Sequence, residues 1–348
     1  MPPDTRAGSR ATRDRSPPGR YDHPVRTTAR AGREAEISVL NVVTNDDSRF
    51  FKQQVAALEA RGVRQHTVSI REERTDGQGS VTAGRVGRYL GLVPEVIAES
   101  CGDYDLVHAN YGLTAPAALA QPSLPVVVSL WGTDLMGRFG YVSSACARFA
   151  DAVVVMTPEM ASMLPVDAHV IPHGVDTERF TPAPKADARE ELGWDRYGRY
   201  VLFPYPPDRD VKDYPRAERV VEGASERLGV DVDLRPVVGV PHEEMSTYYN
   251  AADLLLLTSR REGSPNAVKE ALACDTPVVA TDVGDVRTRL AGVDNAHVCR
   301  SDDDLIAGVT SVLSGDGRVD GREAIRDCSV ASMAEQLHGV YRSVLDDR

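Results

Sequence analysis

The sequence predicts an α/β protein of two doubly wound, Rossmann-like domains whose parallel sheets face an interdomain cleft. Three observations carry this. From Ile37 onward, short apolar runs alternate with stretches of helical period. Runs such as Pro125-Val126-Val127-Val128 and Leu254-Leu255-Leu256-Leu257 are apolar at every position, as strands covered on both faces are. The length, 348 residues, exceeds one small domain and fits two of ordinary size.

The elements follow in order. Residues 1–35 hold Pro, Gly, Arg, Ser and Thr without an apolar period and read as a disordered basic tail. A basic arm touching anionic lipid or another subunit is the functional alternative. The first domain is expected over 36–180. Its first strand is 37–44, and a helix over 49–61 is ended by Gly62. A strand at 63–70, a helix at 81–100 and strands at 106–109, 126–130, 152–156 and 169–171 complete it. A hinge is expected near 175–195. The second domain, over 181–329, carries strands at 200–203, 234–240, 252–257, 276–281 and 297–299. A last helix, 330–345, has apolar positions at helical spacing. No sequence repeat links the two halves.

Composition excludes several function classes. No stretch reaches the roughly 18–20 apolar residues of a membrane span, and the N-terminus has no apolar signal core. Cys101, Cys146, Cys274, Cys299 and Cys328 are scattered without a Cys-x-x-Cys pair, which predicts reduced thiols, a cytoplasmic location and no zinc site. The eight histidines show no ligand spacing. The formal charge is −12, yet residues 1–36 hold eight arginines against five acids, so the rest of the chain is near −15 once that surplus is removed. An acidic body argues against nucleic-acid binding. Asp231-Val232-Asp233 has the look of a metal-binding acidic triplet, but it falls in an apparent strand. Asp302-Asp303-Asp304 reads as an acidic first helical turn. A Gly-x-Gly-x-x-Gly fingerprint and a P-loop are both lacking.

The most informative segment runs from Glu262 to Glu270. An apolar strand precedes it and Ala271-Leu272-Ala273-Cys274 continues it as helix. Ser264 suits an N-cap and Pro265 a first helical residue. Strand, tight turn and helix start together offer unpaired backbone N–H groups and the positive end of a dipole, a site for a phosphate or diphosphate. Two glutamates flanking an anion pocket are not suited to the anion. They are suited to accept hydrogen bonds from hydroxyls, such as those of sugars. The plain alternative is an ordinary capped turn with Glu270 exposed on a helix. Arg209 and Lys212, in Tyr205-Pro206-Pro207-Asp208-Arg209-Asp210-Val211-Lys212, follow a strand and precede a helix. In a chain poor in lysine, they are candidates to meet the diphosphate.

Glu262-Gly263-Ser264-Pro265-Asn266 and Glu270-Ala271-Leu272-Ala273-Cys274-Asp275-Thr276-Pro277-Val278-Val279 closely resemble the signature of the family-4 retaining glycosyltransferases, which have the GT-B fold. Ile171-Pro172-His173-Gly174-Val175-Asp176 resembles the segment that ends the first domain in that family. The resemblance covers about residues 37–345. It implies that Glu270 accepts hydrogen bonds from the donor ribose and Glu262 from the transferred sugar. The backbone of Ser264, Pro265, Asn266 and Ala267, with Gly263 beside it, would meet the distal phosphate and the sugar. Ser259 would line the same pocket, and the base would stack near 239–241. Arg209 and Lys212 would hold the diphosphate in place of a metal ion. The family's usual Gly-Arg-x-x-x-x-Lys-Gly form is absent here.

On the acceptor and sugar side, Asp105-Leu106-Val107-His108-Ala109-Asn110 resembles a strand–loop that often reads His-x-His, with Asn110 in place of the second His. Ser129-Leu130-Trp131-Gly132-Thr133-Asp134 resembles a Phe-His-Gly-Ser-Asp loop, in which Gly132 and Asp134 match and Trp131 replaces a sugar-contacting His. A packed histidine is the plain alternative for His108. The last helix crosses back toward the first domain in the family. The resemblance thus implies a metal-independent, retaining transfer from a nucleotide-sugar donor to a glycan or lipid-linked acceptor, at the inner face of a membrane or free of it. A nucleotide-sugar epimerase or phosphorylase on the same fold, and a catalytically silent partner subunit, are the rival readings.

Overall fold

The computed structural model describes residues 36–70, 83–315 and 317–348. The basic tail and the expected start of the second helix at Val81 lie outside these residues.

The first domain is built from β1 (Ser38–Val43), α1 (Arg49–Glu59), β2 (Arg64–Ser69), α2 (Ala83–Glu99), β3 (Leu106–Ala109), α3 (Ala115–Leu119), β4 (Val126–Leu130), α4 (Thr133–Met136), α5 (Gly140–Ala147), β5 (Ala152–Val155), α6 (Pro158–Ser162) and β6 (His169–Val170). Its six strands form one sheet of order β2-β1-β3-β4-β5-β6, and all neighbours run parallel. Strands β1, β3, β4 and β5 are buried along their whole length, which explains their continuous Val and Leu.

The second domain follows with α7 (Lys185–Leu192), β7 (Tyr200–Phe203), α8 (Tyr214–Leu228), β8 (Asp233–Pro236), α9 (Met245–Ala251), β9 (Leu254–Leu257), α10 (Asn266–Ala273), β10 (Val278–Thr281), α11 (Val286–Arg289), β11 (His297–Cys299) and α12 (Asp302–Ser314). Its five parallel strands have the order β11-β10-β9-β7-β8. The acidic triplet caps α12: Ser301 and Asp304 close a reciprocal capping box. The expected strand 234–240 stops at Pro236. Proline has no N–H to extend an edge ladder, and the chain turns there toward the cleft. Asp233 of the acidic triplet 231–233 pairs with Arg235.

Both sheets reverse strand order once, between β1 and β3 and between β7 and β9. Ligands of doubly wound sheets bind at such switch points, beyond the carboxyl ends of the strands. The last helix, α13 (Val330–Asp346), lies against the first sheet: Met333, Leu337 and Tyr341 pack with Val39, Leu106 and Val127. The two chain crossings between the domains run side by side. The N–H of Val175 donates to the Cys328 carbonyl at 2.7 Å, and that of Val330 to the Val175 carbonyl at 3.0 Å. Gly174 is required at this crossing, because a Cβ there would lie 2.6 Å from the Val330 Cα.

Candidate functional site

A cleft of about 710 Å³ opens between the carboxyl ends of the two sheets. From the second domain, the loop after β7 supplies Tyr205, Arg209 and Lys212, the segment after β8 supplies Gly239 and His242, and the β9–α10 turn supplies Glu262 to Ala267 and Glu270. From the first domain come Arg49, Tyr111, Trp131 and Gly132. The switch point at β7 and β9 thus brings together residues that lie 50 positions apart. The Lys212 ammonium donates to Glu262 at 2.5 Å and sits 3.6 Å over the Tyr205 ring. Burial lowers the Lys212 pKa, and the adjacent Glu262 carboxylate opposes that shift.

The helix α10 begins at Asn266, one residue later than expected, with Pro265 at its N-cap. Ser264 makes no capping bond. Its hydroxyl donates to the Asp285 carboxylate at 2.8 Å, because the β10–α11 loop packs under the turn and competes for it. The Asp285 N–H also donates to the Gly263 carbonyl at 3.1 Å, and Arg289 holds the Asp285 carboxylate from α11. Asn266 and Ala267, in the first turn of α10, line the cleft, and it is at this end of a helix that unpaired N–H groups can meet an anion.

Glu270 is nearly buried and faces three donors. His242 Nε2 lies at 2.8 Å, the Tyr249 hydroxyl donates at 2.9 Å, and the Arg49 guanidinium of the first domain stands 3.4 Å away. Burial alone would raise its pKa. The His242 hydrogen bond and the Arg49 charge outweigh it and hold Glu270 below the usual carboxylate range. The result is an ionised acceptor in a dry wall. Several buried polar atoms in cleft and cavity walls have no hydrogen-bond partner: Trp131 Nε1, His242 Nδ1, Asn266 Oδ1 and Ser48 Oγ. Buried polar atoms are seldom left unpaired, so this cluster marks where a ligand's polar groups belong.

Lys212, Arg209, Glu262, Glu270, Gly263, Ser264, Pro265, Asn266 and Ala267 all line this cleft, as do Trp131 and Gly132. Four expected residues do not line this cleft, though Asn110 and Asp134 border the cavity beside it. Ser259 is buried beneath the cleft and lines none of it. His108 is fully buried within the first domain, bonded to the Tyr341 hydroxyl at 2.7 Å and to Ser129 at 2.8 Å. Burial lowers its pKa to about 3, so it is a neutral packing residue. Asn110 borders a neighbouring cavity, but its amide is engaged by Gln54 and Asn41. Asp134 accepts from the N–H groups of Gly112, Trp131 and Gly132 at 2.8, 2.9 and 2.8 Å, and so shapes the loop from below. Tyr205, His242, Tyr249 and Arg261 were not anticipated. Only His242, next to the expected base-stacking segment, carried a local signal.

His173, at the end of the first domain, ties the two halves of the wall. Its ring stacks on Phe50 and meets Trp131 edge-on, each at 5.0 Å between centroids. Its carbonyl accepts from the buried Lys269 ammonium at 2.8 Å. Among the described residues, no cluster of three metal-ligating side chains is found, and no helix is long and apolar enough to cross a membrane.

Known proteins share this fold. The family description "Glycosyl transferases group 1" matches residues 213–315, and "Glycosyltransferase Family 4" matches 25–179. A D-inositol 3-phosphate glycosyltransferase of Catenulispora acidiphila is 29% identical over 328 residues, covering 76% of this chain and 78% of that one. Among solved structures, a sucrose-phosphate synthase from Thermosynechococcus elongatus aligns over 90% of this chain and all of its own, with a TM-score of 0.72 at 17% identity. Anabaena HepE, solved with UDP and glucose, aligns over 88% of this chain and all of its own, with a TM-score of 0.62 at 15% identity. The two matched segments fall one on each domain, on either side of the cleft, so the chain carries a family 4 and a group 1 glycosyltransferase domain in a GT-B fold.

Proposed function

We propose that the chain is a retaining glycosyltransferase that moves a sugar from a nucleoside-diphosphate sugar to an acceptor hydroxyl without a metal ion. The convergence of Lys212, Glu262, the start of α10 and Glu270 on one cleft carries this reading. The diphosphate rests on the first-turn N–H groups of α10, with Lys212 and Arg209 beside it. Glu270 takes the ribose hydroxyls and Glu262 those of the sugar. The segment at 238–240, with His242, borders the base. In the reaction the bond from the anomeric carbon to the phosphate oxygen breaks and a bond to the acceptor oxygen forms on the same face. The acceptor proton passes to the departing phosphate. Negative charge grows on that phosphate, where Lys212, Arg209 and the α10 dipole already stand. Glu262 binds and orients. The cations around the phosphates take the part a divalent metal would play. Action in the cytoplasm, on acceptors free or held at a membrane's inner face, belongs to the same reading.

A thermal-shift screen against UDP-, GDP- and ADP-sugars tests it. HepE's ligand makes the uridine series the first arm. One nucleotide series should raise the Tm, and Glu270→Ala should weaken that ligand by at least about tenfold, as the loss of hydrogen bonds to a charged group does. Product analysis should then show transfer with the donor's anomeric configuration kept. No shift with any nucleotide sinks the donor assignment. Epimerised donor without transfer, or phosphorolysis in its place, would establish a rival chemistry on the same fold.

A further inference from the structure

A second cavity, also about 710 Å³, lies at the switch point of the first sheet and shares Tyr111, Trp131 and Thr133 with the cleft. An acceptor lodged there meets the donor across those three residues. We propose, resting on the transferase reading above, that the acceptor is a compact amphiphile: a hydroxyl compound with an apolar or aromatic body and one anionic group.

The walls set the body. Ile70, Val93, Leu113, Pro116, Phe139 and Val142 face the space, and it is enclosed by apolar rather than polar surface. A polyol or glycan is recognised by carboxylates and carboxamides that pair with its hydroxyls. Here the buried groups of that kind are occupied, and Asn45, exposed at the rim, accepts from the Asp47 N–H at 2.9 Å. Asp134 is the only carboxylate among the described lining residues, and three backbone N–H groups hold it. The Asn110 amide is held by Gln54 and Asn41. Beside the hydroxyls of Thr44, Ser48, Tyr89, Tyr111, Thr133 and Tyr141 and the Trp131 indole N–H, the remaining polar groups are cationic. Arg88 and Arg138 line the cavity, are exposed, and form no ion pair with any described residue. An anionic group on the acceptor would be drawn to these two cations. Ser48 Oγ and Trp131 Nε1, buried and unpaired in this wall, are left for the acceptor hydroxyl. The volume is that of a drug-sized molecule, which excludes a long glycan lying wholly inside.

Titration calorimetry with three probes tests the class: 1-naphthyl phosphate (apolar and anionic), 1-naphthol (apolar and neutral) and myo-inositol 1-phosphate (polyol and anionic). The first should bind at least about tenfold more tightly than either of the others, the factor expected when one charge-assisted contact or one apolar body is removed. Arg138→Glu and Leu113→Asp should each lower naphthyl phosphate affinity by about tenfold or more. Both should keep the nucleotide-induced thermal shift, which shows that they are folded and that the donor site is intact. Equal or tighter binding of inositol phosphate overturns the proposal, and so does naphthyl phosphate binding that neither substitution weakens. If no nucleotide binds while the probe ranking holds, the donor reading falls and the acceptor class stands.

Discussion

Glu270 keeps its charge in a dry wall because His242, Tyr249 and Arg49 surround it. Lys212 keeps a neighbour of opposite charge for the same reason. A cation placed where charge develops acts mainly on the transition state, so Lys212→Ala should lower kcat by about 10²–10³-fold. Lys212→Arg should restore only part, since a planar fork does not replace a point charge in a fitted pocket. Steady-state kinetics with the donor identified by thermal shift checks both, and an unchanged kcat in the alanine variant would remove Lys212 from the chemistry. Histidines give a pH test. Burial holds His108 and His173 at about 3, well below the 6.5 of the unfolded chain. Between those values the unfolded state binds more protons, so stability rises with pH across the window and is lost on acidification below about 6.5. Each residue contributes up to about 1.4 kcal/mol per pH unit of that slope. His108→Gln should therefore be less stable at pH 7 yet show a shallower acid decline in chemical denaturation. At this scale Glu262, Glu270 and Lys212 were legible, because strand, turn and helix order places them locally. His108 was misread because its partner, Tyr341, lies 233 positions away. Tyr249 was missed because no spacing within α9 tells that its hydroxyl reaches Glu270, 21 positions on.

A tight turn can present N–H groups to an anion only if something holds it, and here the next loop does. Gly284, at φ +56°, lets the β10–α11 loop pass beneath the turn, and a Cβ there would lie 1.9 Å from the Gly263 carbonyl oxygen. Asp285 then bonds Ser264 and Gly263, with Arg289 behind it. Gly284→Ala should lower the Tm and also weaken nucleotide binding by about tenfold or more, because first-turn geometry is disturbed together with packing. Gly193 is the control: it has φ +64° with nothing near its missing Cβ. Gly193→Ala carries the left-handed strain alone, about 1–2 kcal/mol, and should leave nucleotide affinity unchanged. Equal affinities for both variants would show that the lower loop does not hold the site. The element types were legible from period and apolar runs, and β3, β4, β7 and β11 have the expected bounds. The start of α10 was not, because Ser264 caps a helix only when no outside carboxylate competes for its hydroxyl, and Asp285 sits in another loop.

The two-domain frame follows from alternation alone, since buried parallel strands and crossover helices leave few other arrangements. What alternation cannot say is which sheet a terminal amphipathic helix will cover: the stripe on α13 is apolar, and both sheets offer apolar faces. Only the resemblance pointed to the first domain, where Leu337 and Tyr341 are buried beside Leu106 and Val127. The chain therefore crosses between domains twice, at Val175 and at Ser329, through paired backbone bonds. Stability of the first domain is thereby made to depend on residues that follow the whole of the second. Leu337→Ala removes a fully packed side chain from that contact and should cost about 2–5 kcal/mol. The loss should appear in urea unfolding of the chain without added nucleotide, while affinity for the nucleotide stays within about twofold, since no atom of the donor wall is moved. If instead nucleotide affinity falls and unfolding is unchanged, α13 acts on the cleft rather than on the core it covers, and the division of labour between the two sheets would have to be redrawn.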